Sequence, residues 1–190
     1  MCSSDLPTTP DSDESARLLA AAWMERGPKP EDEQMLHRLA FAGHAVRLDD
    51  LVQTAVRSAR SLSEVDLARA LDPDVLRSLN RDAPMEVPVP SGRHVGLRYA
   101  AGGAVSAAVK LQELFGLADT PRIGTRREPL LLELLAPNGR PVQTTRDLRS
   151  FWNRTYPEVR RELRGRYPKH PWPEDPWKAQ PTARATRRRK

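Results

Sequence analysis

"PMEVPVPSGRHVGLRYAAGGAVSAAVK", residues 84–110, is where the reading of the fold turns. Before Pro84 the apolar residues recur at helical spacing; from Pro84 the period drops to two. Met85, Val87 and Val89 alternate, "SGR" turns the chain, and Val95, Leu97 and Tyr99 alternate. "AGG" turns it again before Val105, Ala107 and Val109. Successive side chains of a strand point to opposite faces, so this alternation predicts half-buried strands, and the short glycine-bearing breaks make them an antiparallel meander. "LQELFGL" then offers a helical turn or two, "TPRIGTRRE" a basic loop, and "PLLLELL" a buried strand. Asn138-Gly139 in "PNGR" fits a type I′ hairpin turn into "PVQTT". Three strands, a short helix and a two-strand hairpin is the order of an OB-fold, so a five-stranded OB-like barrel is expected over residues 84–145.

Upstream, residues 14–83 read as a small helical bundle, which makes the chain α+β. "DESARLLAAAWMERG" places Leu18, Leu19, Ala22 and Trp23 on one face before Gly27 and Pro28 stop it. "EDEQMLHRLAFAGHA" opens with three acids that suit a helix N-terminus and repeats at Leu36, Leu39 and Ala40. In "RLDDLVQTAVRSARS" Leu48, Leu51, Val52, Ala55, Val56 and Ala59 follow a helical stripe. "SEVDLARAL" follows, then "DPDVLRSLNRDAP", with Asp72 as a cap and Pro73 in the first helical position. Residues 1–13 read as a disordered polar segment.

After Thr145 the chain returns to helix. Leu148, Phe151 and Trp152 face one way, and "TYPE" (Thr155 to Glu158) is a capping-box pattern that restarts a helix. That helix carries Val159 and Leu163 inward and Arg160, Arg161 and Arg164 outward. Beyond it, "RGRYPKHPWPEDPW" (164–177) holds prolines that forbid helix and central strand and push their neighbours to extended geometry.

The 190 residues carry a net charge of +6, unevenly spread: fourteen Lys/Arg against five Asp/Glu in 141–190, seventeen against twenty in 1–140. A basic C-terminal third on a mildly acidic body points to a polyanion partner. For the closing "RATRRRK", a solvated tail with no specific ligand is the competing reading. The lone cysteine, Cys2, excludes a disulfide and a thiolate metal site. No apolar run is long enough to span a bilayer, and no signal peptide is visible, so no membrane partner is expected and the cytoplasm is the default compartment.

No catalytic site emerges. "AAGGAVSA" has glycines without the lysine-serine of a phosphate loop, so Gly102 and Gly103 read as a turn. His37, His44, His94 and His170 sit at no ligand spacing, Glu174 and Asp175 form no acid–base pair, and Ser106 and Ser150 lack a base. What remains is basic and aromatic. Six of the ten aromatics lie in residues 151–177, interleaved with arginines. Arginines neutralise phosphates and aromatics stack on bases. The candidate nucleic-acid contacts are Lys110, Arg122, Arg126 and Arg127 on the third strand and the loop, and Arg160, Arg161, Arg164, Arg166 and Lys169 farther on. Tyr167, Trp172 and Trp177 are candidates for stacking or docking. The alternative is that Phe151, Trp152 and Trp172 form the core of a tail strapped to the barrel.

"VPSGRHVGLRY", "VKLQELFGLADTPRI", "LLAPNGRPVQTTRDLRSFW" and "TYPEVRRELRGRYPKHPWPEDPW" together resemble the C-terminal region of bacterial HrpB-type, DEAH-box-like ATP-dependent RNA helicases. The resemblance is close over residues 84–178 and looser over 31–83. It implies a parent with two RecA-like motor domains, a winged helix, a ratchet-like bundle, an OB-like barrel and a C-terminal extension. Residues 14–83 then correspond to the end of the bundle, 146–181 to the extension, and 182–190 to a basic disordered tail. The motor motifs are missing, so ATP and magnesium belong to the parent's motor; no cofactor is expected in this chain, which should be inactive alone. "MCSSDL" translates the end of a common sequencing adapter, so residues 1–6 are expected to be foreign and the natural gene to extend upstream. The expected role is to bind and position single-stranded RNA and to dock on the RecA-like core. A self-standing OB-type single-stranded nucleic-acid-binding protein, or a purely structural docking tail, are the alternatives.

Overall fold

The computed structural model describes residues 12–183. The readings of residues 1–6 and of "RATRRRK" therefore lie outside the described residues. The chain divides into two compact units, Met1–Ser78 and Leu79–Lys190.

The first unit is helical, as its apolar spacing predicts. Helix α1 spans Ser12–Arg26, α2 Pro30–Phe41 and α3 Leu48–Val56, followed by a 3-10 turn at Leu67–Ala70. α3 packs on α1 and on the 3-10 turn, burying Leu51, Val52, Ala55 and Val56. The helix stops short of Ala59. In α1 the buried side runs through Ala20 and Trp23, and Leu18, expected inside, is exposed. Helix α4, Pro73–Asp82, starts where Asp72 was read as a cap: its carboxylate accepts the Asp74 backbone N–H at 2.7 Å. Among the described residues no helix is long and apolar enough to cross a membrane.

The second unit is built on the predicted meander: β1 (Glu86–Pro88), β2 (His94–Tyr99) and β3 (Val105–Lys110) pair antiparallel in that order. The Tyr99 hydroxyl donates to the Pro84 carbonyl at 2.7 Å and pins the entry to β1. A short ribbon of β4 (Arg122–Ile123) and β5 (Glu128–Pro129) occupies the stretch read as a loop, and β6 (Leu131–Leu135) and β7 (Pro141–Thr145) form the hairpin. The sheet order is β1-β2-β3-β6-β7.

The OB-like barrel is not formed. No ladder among the described residues joins β1 to β7, and β6 lies beside β3 and parallel to it, so the sheet stays open. The physical reasons are local. Residues 111–130 are long enough for the crossover that parallel pairing requires. Both edge strands carry a proline, Pro88 and Pro141, that cannot donate to a further ladder.

Two local expectations also change. The β6–β7 turn is not type I′, which needs a positive φ at both central residues; only Gly139 has one (87°), and Asn138 does not. Pro137, with φ fixed near −65°, suits the first central position of an ordinary turn. The chain closes with Gly139 N–H on the Ala136 carbonyl at 2.9 Å and Ala136 N–H on the Arg140 carbonyl at 2.8 Å. Thr155 makes no capping bond, because no helix restarts there. Helix α5 (Leu148–Ser150) runs through a π-helical stretch at Phe151–Thr155 into α6 (Tyr156–Arg166). The wider π turn brings Phe151 and Tyr156, five residues apart, toward one side.

The crossover holds the most buried segment of the unit. Leu111, Leu114 and Phe115 are fully enclosed, and so are Gln112 and Glu113. The Glu113 carboxylate accepts Arg93 at 2.8 Å from the β1–β2 turn, where Ser91 also lies within 3.5 Å. Arg93→Ala leaves this buried carboxylate without its charged donor and should cost about 1–3 kcal/mol in denaturant melts. A loss within a few tenths of a kcal/mol would show that solvent already satisfies Glu113.

Candidate nucleic-acid interface

The Pro-rich segment after α6 is fastened to its own unit, and its aromatic residues do the fastening. Phe115, Phe151, Trp152 and Tyr156 form one cluster, with Trp152 edge-on to Tyr156 at 5.1 Å between ring centres and Phe115 6.0 Å from Trp152. Buried rings with polar handles need partners. Trp152 Nε1 donates to the Leu117 carbonyl at 2.8 Å and the Tyr156 hydroxyl to the Pro173 carbonyl at 2.9 Å. Burial pushes the Tyr156 phenol well above its usual pKa, partly offset by the Arg160 cation, so it stays a neutral donor. Trp172 is 7% exposed, and its Nε1 donates to the Tyr167 carbonyl at 2.9 Å. Backbone bonds complete the attachment: Gly116 N–H to the Pro176 carbonyl at 2.8 Å and Thr182 N–H to the Gln112 carbonyl at 3.0 Å. Phe151, Trp152 and Trp172 are thus core, as the strapped-tail alternative has it.

The basic candidates separate by what already holds them. Arg160 is 22% exposed at its side chain; its Nε donates to the Trp172 carbonyl at 2.8 Å and its guanidinium pairs with Glu174 at 2.9 Å. It fastens the strap. Arg122 on β4 donates to the Arg127 carbonyl at 2.9 Å and shapes the ribbon turn. Arg126 and Arg127 stand exposed on that turn, Arg127 at a positive φ of 51°, with no carboxylate partner among the described residues. Arg161 reaches Glu158 only at 3.8 Å, and Arg166 reaches Glu162 at 3.4 Å. Arg164 and Lys169 are exposed with no ion pair among the described residues. Burial, and after it the cation of Lys110, half-buried at the end of β3, hold His170 below the usual histidine pKa; the His170 Nδ1 is buried without a partner. Tyr167 and Trp177 are half-buried, the Trp177 ring 5.8 Å below the Arg149 guanidinium.

Two features escape the sequence reading. Arg149 stacks on Trp177 while gripping Asp119 through two bonds at 2.9 and 3.0 Å, an arrangement between residues far apart in the chain. Arg154 joins Pro157, Glu158, Arg160, Arg161 and Arg164 around one open groove of about 330 Å³. Its helical spacing to Arg161, two turns on, was the available signal. Among the described residues no cluster of three or more His, Cys, Asp or Glu has the geometry to hold a metal ion.

A family model described as ATP-dependent helicase C-terminal matches residues 47–176. The ATP-dependent RNA helicase HrpB of Escherichia coli (strain K12) is 39% identical over 175 residues, covering 88% of this chain and 21% of that protein. The crystal structure of the E. coli DExH-box NTPase HrpB matches with a TM-score of 0.64 at 36% identity, over 93% of this chain and 22% of that one. A crystal structure of the Escherichia coli DEAH/RHA helicase HrpB matches at a TM-score of 0.49 and 34% identity, over 85% of this chain and 21% of that one. The chain spans about a fifth of the length of the relatives it matches.

Trp172→Ala should destabilise the second unit by about 3–5 kcal/mol, because it empties a closed site. Trp177→Ala removes a half-buried ring and should cost distinctly less in the same chemical melts. Equal losses would mean that Trp172 is not the anchor of the strap.

Proposed function

The chain belongs to the HrpB C-terminal family of ATP-dependent helicases, and from that premise we propose that it is the non-motor part that binds and positions single-stranded RNA for RecA-like motor domains. The observation that carries this reading is the sorting of side chains in the second unit: aromatic rings close the core, while a subset of its guanidinium groups, those of Arg126, Arg127, Arg154 and Arg164, stand outward with no ion pair among the described residues. Arg126 and Arg127 on the β4–β5 turn are the clearest case. A protein that only needed solubility would pair or intersperse these charges; unpaired arginines on a small ribbon suit phosphate oxygens.

The docking role is a second part of the same proposal. The inner side of the strap is already taken by its own unit, so its outer side, with Glu174, Asp175 and Lys178, would meet the motor. The self-standing OB-type reading is dropped, since the sheet is open.

The purified chain should bind an unstructured RNA oligomer weakly. The logarithm of affinity should fall with the logarithm of salt at about −0.7 per phosphate contact. A chain ending at Ala183 is the control for the basic tail, and this cut spares the Thr182 bond to Gln112. Arg126→Gln with Arg127→Gln should weaken binding about equally for all sequences. Binding that vanishes with the tail and ignores the turn would overturn RNA positioning by this unit and favour the structural docking role.

The same reading expects no ATP binding or hydrolysis by the isolated chain, which lacks a phosphate loop and the acidic pair that holds magnesium in such chemistry. RNA-stimulated phosphate release by the purified chain would refute it.

A further inference from the structure

The continuous helix from Leu148 to Arg166 has two unlike sides. Leu148, Phe151, Trp152, Tyr156 and Leu163 are buried, whereas Arg154, Arg161 and Arg164 are exposed and line one open groove with Pro157 and Glu158. Along a helix rising 1.5 Å per residue, these three guanidinium groups mark out a stripe about 15 Å long. The groove's fourth arginine, Arg160, is already spent on Trp172 and Glu174. The other three are available: Arg154 and Arg164 have no ion pair among the described residues, and Arg161 has only the exposed Glu158 at 3.8 Å. An exposed pair of that kind is worth little against a better acceptor.

We propose that Arg154, Arg161 and Arg164 form a nucleic-acid backbone site that grips successive phosphates and is blind to base identity. The proposal rests on the RNA-positioning reading and gives it a place: the outer side of this helix, with Arg154 as a member the basic pattern alone did not single out. Planar guanidinium forks match phosphate oxygens in pairs, and three along one helix face lay out a path for the backbone. Base blindness follows from what the groove lacks. Stacking on bases needs an exposed aromatic platform. Every aromatic of this helix is turned inward, and no aromatic lines the groove. Specificity for sequence would have to come from elsewhere in a larger assembly.

The test uses the full chain and two fluorescent RNA 20-mers, oligo(U) and oligo(A). Arg154→Gln, Arg161→Gln and Arg164→Gln together should reduce the log–log salt slope by about 2, three contacts at about 0.7 each, and weaken both oligomers by the same factor. All three side chains are exposed, so the circular dichroism and melting midpoint should match the parent chain. If the triple variant is misfolded, Arg154→Gln and Arg164→Gln are measured singly, each expected to remove about one contact. The comparison variant is Arg126→Gln with Arg127→Gln. Unchanged binding and slope in the helix variants, with loss in the turn variant, would overturn the helix site and leave RNA positioning standing. A loss for one oligomer only would overturn base blindness. No binding of either oligomer by the parent chain would remove both the site and the reading it rests on.

Discussion

Buried backbone must find hydrogen-bond partners, and in this protein that demand falls hardest on the crossover from Leu111 to Leu117. Leu111–Phe115 are enclosed, and although the turn closes bonds of its own from Leu114 N–H to the Leu111 carbonyl and from Leu117 N–H to the Leu114 carbonyl, it has no ladder to take up the rest. Its partners come from the rest of the unit. Thr182 and Pro176 of the strap take the Gln112 carbonyl and the Gly116 N–H, Trp152 of the helix takes the Leu117 carbonyl, and Arg93 of the β1–β2 turn takes the Glu113 carboxylate. Sheet, helix and strap are held together because each supplies something this turn lacks. The same segment sets the direction of β6, since it carries the chain back to lie parallel to β3.

The proline and tryptophan of the C-terminal stretch are therefore structural before they are anything else. Trp172 and Tyr156 lock the strap to the helix, and Arg160 turns inward to join them. This inward turn divides one arginine-rich helix into a fastener and a free face. The free face is the one the proposed phosphate contacts would use.

Much of the architecture was legible because it depends on local periodicity. The change of period at Pro84, the three strands of the meander, the β6 strand and the Asp72 cap all follow from neighbours in sequence. What was not legible depends on distant partners. The apolar run marks Leu131–Leu135 as a buried strand but says nothing of the strand beside it or its direction, so a closed barrel and an open sheet read alike. Thr155-x-x-Glu158 has the composition of a cap, but the π turn before it makes the helix continuous. Asn138-Gly139 has the composition of a tight hairpin, but Pro137 shifts the turn by one residue. For the site, arginine content was visible and arginine availability was not: Arg160 and Arg164 look alike in sequence, and only Glu174 and Trp172 tell them apart.

The strap's prolines, at 168, 171, 173, 176 and 181, also bear on its thermodynamics. An ordinary segment of this length gives up on the order of 1–2 kcal/mol of backbone freedom per residue when it is fixed in place. Prolines have little of that freedom to lose, and each one in a compatible conformation saves about 0.4–1 kcal/mol. The strap is held by few bonds and two or three rings, and its prolines lower the cost of holding it there. Stiffness in the undocked chain substitutes for contact area in the docked one.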